Sequence, residues 1–479
     1  MEALYCSQDY YDKIIPDYQS IVETDEKEIY QMLCDSYYEN RSGQIVAVLK
    51  PGYIFVENEK GTTHGSPWSY DRHIPFIITG KGVKKGNEDS HVTLQDIAPT
   101  ISYLADAPLP DSSQGRILYE AFEKKENPAL IAVIVLDQFR DSYFEEYKNE
   151  MKNIKQIASE GLRYTHAMVD HLPTATAVSH TSIGTGAKPS VHGIVGNNFY
   201  DIEKKQIVYA MEGSNPKYIE AYSLADVYLK ATDHRVNIFS VGGADRTAIG
   251  MGGHGAAFDG KKSFVYWYDE TSGKYVTNDK LYKIPEILED ENIEDYGKLY
   301  GYDCSDPEEA KSTPALSDMI GTGVVKLIEN KYVGISDFTD IIYVNFKSAD
   351  FAGHKYGPGP ELREAIKNID RNVGNIKKAL DSYFEDDYVM IITADHGAAY
   401  IPEETGKGGR VKPSVFMEKL KTRFGDSFIA GEPAGGIIHL YFDEDKLSSY
   451  GVTLEDIANW LKQDNRVFNA YTRDELLKL

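Results

Sequence analysis

The sequence predicts an α/β fold with a doubly wound, mostly parallel central sheet and helices on both faces. Three apolar runs support this prediction, namely residues 130–136 (LIAVIVL), 341–346 (IIYVNF) and 389–393 (VMIIT). Short runs of this kind, rich in β-branched residues and without polar alternation, are typical of strands buried on both faces of a parallel sheet. From residue 128 onward, strand and helix patterns alternate, which is typical of a doubly wound sheet.

The other secondary-structure elements are predicted from two patterns of apolar residues. Short apolar runs indicate strands, whereas apolar residues at three- and four-residue spacing indicate helices. The segment 200–283 is rich in Tyr, Gly and charge without clear periodicity, and we interpret it as a cap insertion over the active edge of the sheet. The further predicted elements are strands at 44–49, 74–79 and 236–241 and helices at 96–105, 153–160, 361–380 and 453–462.

Composition limits the classes of partner. The chain has 479 residues and a net charge of −24, which argues against nucleic-acid binding and against anionic membrane surfaces as main roles. An anionic substrate would also need a local cationic site, which a bound metal ion could supply. Residues 1–20 lack the apolar core of a signal peptide, so the sequence as written predicts a cytoplasmic protein. The three cysteines, Cys6, Cys34 and Cys304, have no CxxC spacing and predict no Cys-type zinc site.

Acidic and imidazole side chains follow the three apolar runs. Asp137 directly follows the first run, Asp350 and His354 follow the second, and the pair Asp395-His396 follows the third. Ligands in open α/β sheets bind beyond the carboxyl ends of the strands, so these groups are expected to converge. Together with His64 in the loop GTTHG, they form a set of oxygen and nitrogen donors that suits zinc. The sequence thus predicts a metal centre at this edge.

A segment rich in hydroxyl groups is the candidate source of a nucleophile. Residues 172–186 (LPTATAVSHTSIGTG) contain six Ser or Thr residues. A hydroxyl group at a helix N-terminus can receive an anion among free N–H groups, and a neighbouring metal ion can lower its pKa. Local chemistry alone leaves Thr174, Thr176 and Ser179 as equal candidates.

Taken together, these motifs resemble the alkaline phosphatase superfamily, in the branch with a threonine nucleophile. That branch contains the threonine-type alkaline phosphatases and the nucleotide pyrophosphatase/phosphodiesterases. The resemblance covers most of the chain, and the combination of motifs is highly specific. The segments that carry it are GTTHG with His64, VLDQFR with Asp137, PTATAVSHTSIGTG, HGIVGNN (192–198), DFAGH (350–354) and ADHG (394–397).

The resemblance implies a role for each matching residue. Thr176 matches the family nucleophile, and Asn197 matches the residue that donates a hydrogen bond to a phosphoryl oxygen. Two Zn²⁺ ions are implied: Asp137, Thr176, Asp395 and His396 match the ligands of one, and Asp350, His354 and His64 match those of the other. His180 and His192 also lie in these motifs, but we expect them to pack and form hydrogen bonds, and we expect His439 to be a buried strand residue.

The implied activity is that of an alkaline phosphatase, a zinc-dependent phosphate monoester hydrolase that acts through a phosphothreonine intermediate. A phosphodiesterase or nucleotide pyrophosphatase of the same superfamily is the main alternative. A non-catalytic protein that binds metal or phosphate is a minor one. Members of the family are often periplasmic or secreted.

The order of the motifs departs from the family. There the GTTHG histidine follows the DHG segment, whereas here His64 precedes every other motif. The chain therefore resembles a circularly permuted member. Residues 1–127, which end in the charged stretch 120–127, would then complete the core and supply His64. Residues 128–479 would form the main catalytic portion of a single catalytic domain.

The phosphate-binding motif also differs from that of the family. The threonine-type monoesterases carry Lys-Asp-Arg where this chain has Ala244-Asp245-Arg246. Arg246 keeps the bidentate fork that suits a phosphoryl group, but the lysine charge is missing. Lys261 and Lys262 in a nearby loop are candidates to replace it, although lysines in loops are more often simply exposed. His254 and the cluster 266–268 also resemble family positions, with a structural role or substrate contact left open.

Overall fold

The computed structural model describes residues 24–478, so Cys6 and residues 1–20 lie outside the described part of the chain. Its strands are β1 (Ile45–Leu49), β2 (Tyr53–Phe55), β3 (Phe76–Gly80), β4 (Gly86–Glu88), β5 (Leu130–Leu136), β6 (Leu162–Tyr164), β7 (Asn198–Asp201), β8 (Gln206–Tyr209), β9 (Ile238–Gly242), β10 (Ser263–Tyr268), β11 (Tyr275–Val276), β12 (Tyr282–Lys283), β13 (Asp340–Phe346), β14 (Tyr388–Ala394), β15 (Gly409–Val411), β16 (Phe428–Ala434), β17 (Ile437–Phe442) and β18 (Val467–Thr472).

The α-helices connect and cover these strands. They are α1 (Glu26–Ser36), α2 (Ser69–Arg72), α3 (Ile97–Ala105), α4 (Tyr143–Glu146), α5 (Lys152–Glu160), α6 (Thr176–Thr185), α7 (Pro189–His192), α8 (Leu224–Ala231), α9 (Asp245–Gly252), α10 (Ala256–Asp259), α11 (Ile293–Tyr300), α12 (Pro307–Ala310), α13 (Pro314–Glu329), α14 (Ser348–Tyr356), α15 (Pro360–Phe384), α16 (Pro402–Thr405), α17 (Pro413–Phe424), α18 (Glu444–Ser449), α19 (Leu454–Leu461) and α20 (Arg473–Leu476).

The largest sheet has ten strands, and its middle is parallel. Neighbouring strands follow the order β11-β10-β9-β13-β5-β14-β3-β6-β4, with β12 beside β10. The five strands from β10 to β14 in this order run parallel, as the sequence predicts. The register aligns Leu136 at the end of β5 with Phe346 on one side and Ala394 on the other. The three predicted ligand-bearing strand ends therefore lie side by side.

The burial of β5, β13 and β14 agrees with their central position in the large sheet. Every residue of β5, β13 and β14 is buried, so both faces of the sheet are covered. Side chains from α3, α5, α13 and α15 share one hydrophobic core with these strands. Burying each Val, Leu or Ile side chain contributes about 1.5–3 kcal/mol. The mixed α/β fold with a large, mostly parallel sheet is thus confirmed.

Residues before 128 contribute to both main sheets. Strand β3 lies antiparallel beside β14 in the large sheet. Strand β1 lies between β17 and β18 in a second, four-stranded antiparallel sheet. Phe122, within the charged stretch 120–127, is buried and pairs with Val83.

The segment 200–283 differs from the predicted cap insertion. It contains β9 and β10, which are neighbouring parallel strands of the large sheet. The tyrosine- and tryptophan-rich run of β10 is buried in the interior, so its composition reflects core packing. The prediction of a cap over this whole range is therefore wrong. The β7–β8 hairpin at the start of the range forms a separate two-stranded sheet, whereas β9 and β10 belong to the large sheet.

Two local predictions can be compared directly with the helices. Thr453 caps α19 in a capping box with Asp456, as predicted. The predicted helix at 96–105 is α3, preceded by a 3₁₀ turn at Leu94–Asp96. Among the described residues, no helix combines the length and apolar character needed to cross a bilayer.

Candidate metal centre

The carboxyl ends of three parallel strands bring the predicted acidic groups together. Asp137 follows β5 and Asp395 follows β14, and both are completely buried. Beyond β13, the helix α14 places Asp350 in its first turn and His354 one turn later. Residues four apart lie on the same face of a helix, so both side chains reach the same point.

The first cluster surrounds the hydroxyl group of Thr176, and we call it the Thr176 site. His396 Nε2 lies 3.4 Å from Thr176 Oγ1, 3.2 Å from Asp395 Oδ2 and 3.8 Å from Asp137 Oδ1. Thr176 is the first residue of α6, after an extended residue at the N-cap. The hydroxyl group therefore lies where backbone N–H groups at the start of a helix favour negative charge.

The second cluster, which we call the His64 site, joins the loop before α2 to helix α14. Asp350 Oδ1 lies 3.2 Å from His354 Nε2 and 3.7 Å from His64 Nε2. The ring of His64 stacks on that of His396 with centroids 3.6 Å apart. The two sites are therefore immediate neighbours. Each of them combines residues from both halves of the chain.

Hydrogen bonds orient all three imidazoles in the same way. The Nδ1 atoms of His64, His354 and His396 donate to backbone carbonyl oxygens at 2.7, 3.0 and 3.0 Å, respectively. This arrangement sets the tautomer and leaves each Nε2 lone pair directed into a site, as is typical of metal-ligating histidines.

Unpaired carboxylate oxygens show that the Thr176 site suits a cation. Asp395 Oδ1 accepts hydrogen bonds from the backbone N–H groups of Gln138 and His396 at 3.1 and 2.9 Å. By contrast, Asp395 Oδ2 and Asp137 Oδ1 are buried without a hydrogen-bond partner in the described part of the chain. A buried carboxylate oxygen without a partner is costly, and a bound cation would remove that cost. The donor set therefore fits a metal ion.

The pKa values show that burial suppresses charge on Asp395 and on two of the imidazole rings. Burial, and then the Asp137 carboxylate, raise the pKa of Asp395 well above its usual range. Burial also lowers the pKa of His396 to about 4, and burial with the neighbouring His396 and His354 lowers the pKa of His64 far below its usual range. These rings are therefore neutral at neutral pH, which is the form that binds a metal.

The structure distinguishes among the three hydroxyl candidates. Thr174 Oγ1 donates to the carbonyl of Ser66, and Ser179 Oγ bonds to His171 Nε2. Of the three, Thr176 is the one whose hydroxyl group faces the acidic cluster.

Asn197 lies beside the start of α6, and Arg246 lies near the carboxylates of Asp137 and Asp350. Asn197 Oδ1 accepts a 2.9 Å hydrogen bond from the Ala177 N–H, so the amide nitrogen is the part of Asn197 available to a substrate. Arg246 is the second residue of α9, and its Nε atom is buried without a hydrogen-bond partner within the described range. Although burial opposes it, the nearby Tyr209, Asp350 and Asp137 raise the pKa of Arg246.

The other histidines singled out by the sequence have structural partners. His180 bonds through Nδ1 to the carbonyl of Thr176 and through Nε2 to Asn345. His192 bonds to Ser182, and His439 is buried in β17. His254 is held by Asp226 and by the carbonyl of Ile219.

Sequence reasoning missed Lys347, the residue directly after β13. Its side chain is completely buried, and Nζ lies 2.7 Å from Asp350 Oδ2, 2.9 Å from Asp137 Oδ2 and 3.3 Å from Thr176 Oγ1. A lysine immediately after a predicted buried strand was the available signal, because it carries a charge to the ligand-binding edge. The suggested replacements Lys261 and Lys262 are exposed, and Lys261 pairs with Asp233.

A cavity of about 200 Å³ adjoins the His64 site. Its lining includes His64, His354, Asn197 and Glu432. The Glu432 side chain accepts a 3.1 Å hydrogen bond from Asn198. The cavity therefore opens beside the imidazole rings of the His64 site.

Comparison with known proteins places this geometry in a family context. Residues 131–478 match the family described as type I phosphodiesterase / nucleotide pyrophosphatase. The alkaline phosphatase PafA of Elizabethkingia meningoseptica is 26% identical over 426 residues, covering 73% of this chain and 76% of PafA. The alkaline phosphatase PhoV of Synechococcus elongatus is 25% identical over 417 residues, covering 72% and 74%.

More distant and structural matches agree with these. The venom phosphodiesterase CdcPDE of Crotalus durissus collilineatus is 27% identical over 266 residues, covering 55% of this chain but 25% of the venom enzyme. The crystal structure of wild-type PafA superposes with a TM-score of 0.59 at 24% identity, over 71% of this chain and 77% of PafA. This superposition supports the alkaline-phosphatase-like fold.

Proposed function

This chain belongs to the type I phosphodiesterase / nucleotide pyrophosphatase family of the alkaline phosphatase superfamily, and we propose that it is a zinc-dependent phosphate monoester hydrolase with Thr176 as its nucleophile. An enzyme of the phosphohydrolase type agrees with the relatives, which are named alkaline phosphatases or phosphodiesterases. One observation carries the proposal: Thr176 Oγ1 lies at a helix N-terminus beside His396 Nε2 and two buried carboxylates, each with an oxygen that has no hydrogen-bond partner among residues 24–478.

The proposed cofactors are two Zn²⁺ ions. Asp137, Thr176, Asp395 and His396 would hold one ion in the Thr176 site. Asp350, His354 and His64 would hold the other in the His64 site. Oxygen and imidazole donors in sets of three or four, without thiolate, suit zinc. When bound, zinc supplies Lewis acidity, which lowers the pKa of a hydroxyl group and stabilises negative charge on phosphoryl and leaving oxygens.

The protein's own residues then perform the displacement. The Thr176 hydroxyl group gives its proton to solvent, and Oγ1 attacks phosphorus in line, forming a phosphothreonine ester as the bond to the leaving oxygen breaks; the leaving oxygen departs with the electron pair and takes a proton from water. The Asn197 amide and the Arg246 guanidinium hold non-bridging oxygens, where negative charge is greatest in the transition state. Water then attacks phosphorus, which returns the Thr176 hydroxyl group and releases inorganic phosphate.

The monoester assignment is favoured over the diester assignment by the coverage of the relatives. The named alkaline phosphatases match over about three quarters of their length, whereas the venom phosphodiesterase matches over a quarter. One residue favours the diesterase alternative: Ala244 lacks the charge that the threonine-type monoesterases place there. A dianionic monoester depends more on an added cation than a monoanionic diester does.

Elemental analysis combined with a paired assay tests the proposal. We expect about two zinc equivalents per chain and a higher kcat/KM for an aryl phosphate than for the matched bis-aryl phosphate. A strong preference for the diester would support the alternative. Stoichiometric zinc without turnover of either ester would indicate a non-catalytic binding protein.

We also propose that the chain is a circularly permuted member of the family, with residues 1–127 and 128–479 forming one catalytic domain. The family match starts at residue 131, yet the earlier residues include His64 and strand β3 of the large sheet. A rearranged chain that starts at residue 128 and carries residues 1–127 after residue 479 should keep the zinc content and turnover. Loss of both in a folded rearranged protein would contradict the permutation.

A further inference from the structure

Lys347 is the one lysine among the described residues whose ammonium group contacts both candidate metal sites. It bonds to Asp137, which belongs to the Thr176 site, and to Asp350, which belongs to the His64 site. Nζ also lies 3.3 Å from Thr176 Oγ1 and 5.3 Å from the centre of the Phe351 ring. The Lys347 side chain thus lies between carboxylates of the two sites.

The two aspartates divide their oxygens between Lys347 and the places where metal would bind. Asp137 Oδ2 accepts from Lys347 and from Asn345, whereas Oδ1 has no partner among the described residues and faces His396. Asp350 uses Oδ2 for Lys347 and turns Oδ1 towards His64 and His354. Lys347 therefore binds one oxygen of each aspartate and leaves the other oxygen to the proposed ions, whereas Thr176 Oγ1 is the ligand atom that it shares with them.

The backbone around Lys347 keeps its side chain in this place. A Cβ atom at Gly243 would lie 2.6 Å from Lys347 Cβ, which is closer than such atoms approach, so only glycine fits there. The stem of Lys347 thus packs against the loop that contains Ala244. Ala244, which lacks the lysine charge of the family motif, and Lys347, which adds a charge, are therefore in the same part of the site.

We propose that the Lys347 ammonium binds a non-bridging oxygen of the transferring phosphoryl group and thereby favours dianionic monoesters. This inference rests on the proposed function. A phosphoryl group attached to Thr176 Oγ1 places its oxygens within a few ångströms of that atom, and Nζ lies 3.3 Å from it. The N–H that donates to Thr176 can turn to such an oxygen, while the other two N–H bonds keep their aspartate partners. Lys347 thus supplies, from the end of β13, the cation that Ala244 does not.

The variant Lys347→Met tests this role, since methionine has a similar length and no charge. We expect kcat/KM for an aryl phosphate to fall by about 100-fold and that for the bis-aryl phosphate by about 10-fold, because one charged donor to the phosphoryl group is lost. The affinity of the zinc-loaded protein for inorganic phosphate, measured by calorimetry, should fall by about 10-fold. The zinc content should stay at the wild-type value. Lys261→Met, which removes an exposed lysine, is the matched control and should change none of these.

Three results would overturn the role: an unchanged monoester-to-diester ratio, unchanged phosphate affinity, or loss of zinc in Lys347→Met, which would make Lys347 structural. Should that variant not fold, Ala244→Lys in the wild-type background serves instead. With Lys347 already in place, its monoester-to-diester ratio should change by less than about 2-fold, and a gain of about 10-fold would contradict the proposal. If the wild-type protein hydrolyses neither ester, the proposed function fails, whereas wild-type turnover with an unaltered variant ratio rejects the role of Lys347 alone.

Discussion

The close approach between Gly61 and His354 permits a test of the His64 site without changing any ligand. Gly61 has a positive φ of 79°, and a Cβ atom there would lie 1.9 Å from the carbonyl oxygen of His354. Contacts of this kind are not seen below about 3 Å, so the Gly61→Ala variant must move the two backbones apart by about 1 Å. Metal–ligand distances tolerate only about 0.2 Å. Since His64 lies three residues beyond Gly61, the displacement affects two of the three ligands of this site.

We expect Gly61→Ala to lose one zinc equivalent and at least about 100-fold in aryl phosphate turnover, because a misplacement of about 1 Å can cost that much. The matched control is Gly260→Ala. Gly260 has a φ of 83° and no atom within 4 Å of the added Cβ, so it carries the same left-handed strain without the collision. That strain costs about 1–2 kcal/mol in each variant.

Zinc analysis, turnover and thermal unfolding of both variants make up the assay. The control should bind zinc and turn over substrate like the wild type, with only a lower melting temperature. Wild-type zinc content and turnover in a folded Gly61→Ala variant would refute the assignment of His64 and His354 to one ion.

Three further predictions concern single side chains. Thr176→Ala should lower kcat by about 1,000-fold or more while zinc remains, and Thr176→Ser should retain turnover; an active alanine variant would exclude the covalent route. Asp395→Asn keeps the oxygen that accepts from Gln138 and His396 but removes the charge, so elemental analysis should show one zinc equivalent lost; full retention would contradict the assignment. Burial lowers the pKa of His439 from 6.5 to about 4, so its contribution to stability is present above about pH 6.5 and is lost as the pH falls towards 4, at about 1.4 kcal/mol per pH unit. When the pH falls from 7 to 5, the free energy of unfolding of the wild type should therefore drop by about 2 kcal/mol more than that of His439→Asn. Urea titrations at both pH values measure the two drops, and equal drops would contradict this prediction.

Local patterns were sufficient to predict the strands that carry the ligands. The run before Asp137 is apolar over its whole length, and the run 389–393 before Asp395 has Thr393 as its one polar residue. Runs of this kind are typical of central parallel strands. The segment 200–283 shows where local patterns mislead. Its aromatic and charged composition suggested a cap, yet β10 within it is a buried strand, because tyrosine and tryptophan can fill a core as well as cover a site.

The sequence by itself determined the chemistry of the donors and the strands that hold them, since hydrophobic runs and the residues that follow them are local properties. Only the tertiary structure decided that Thr176, rather than Thr174 or Ser179, faces the carboxylates, and that Lys347 points between Asp137 and Asp350. These relations join residues far apart in the chain. They depend on strand register and on which oxygen atoms are already bonded, and neither is encoded in any short segment.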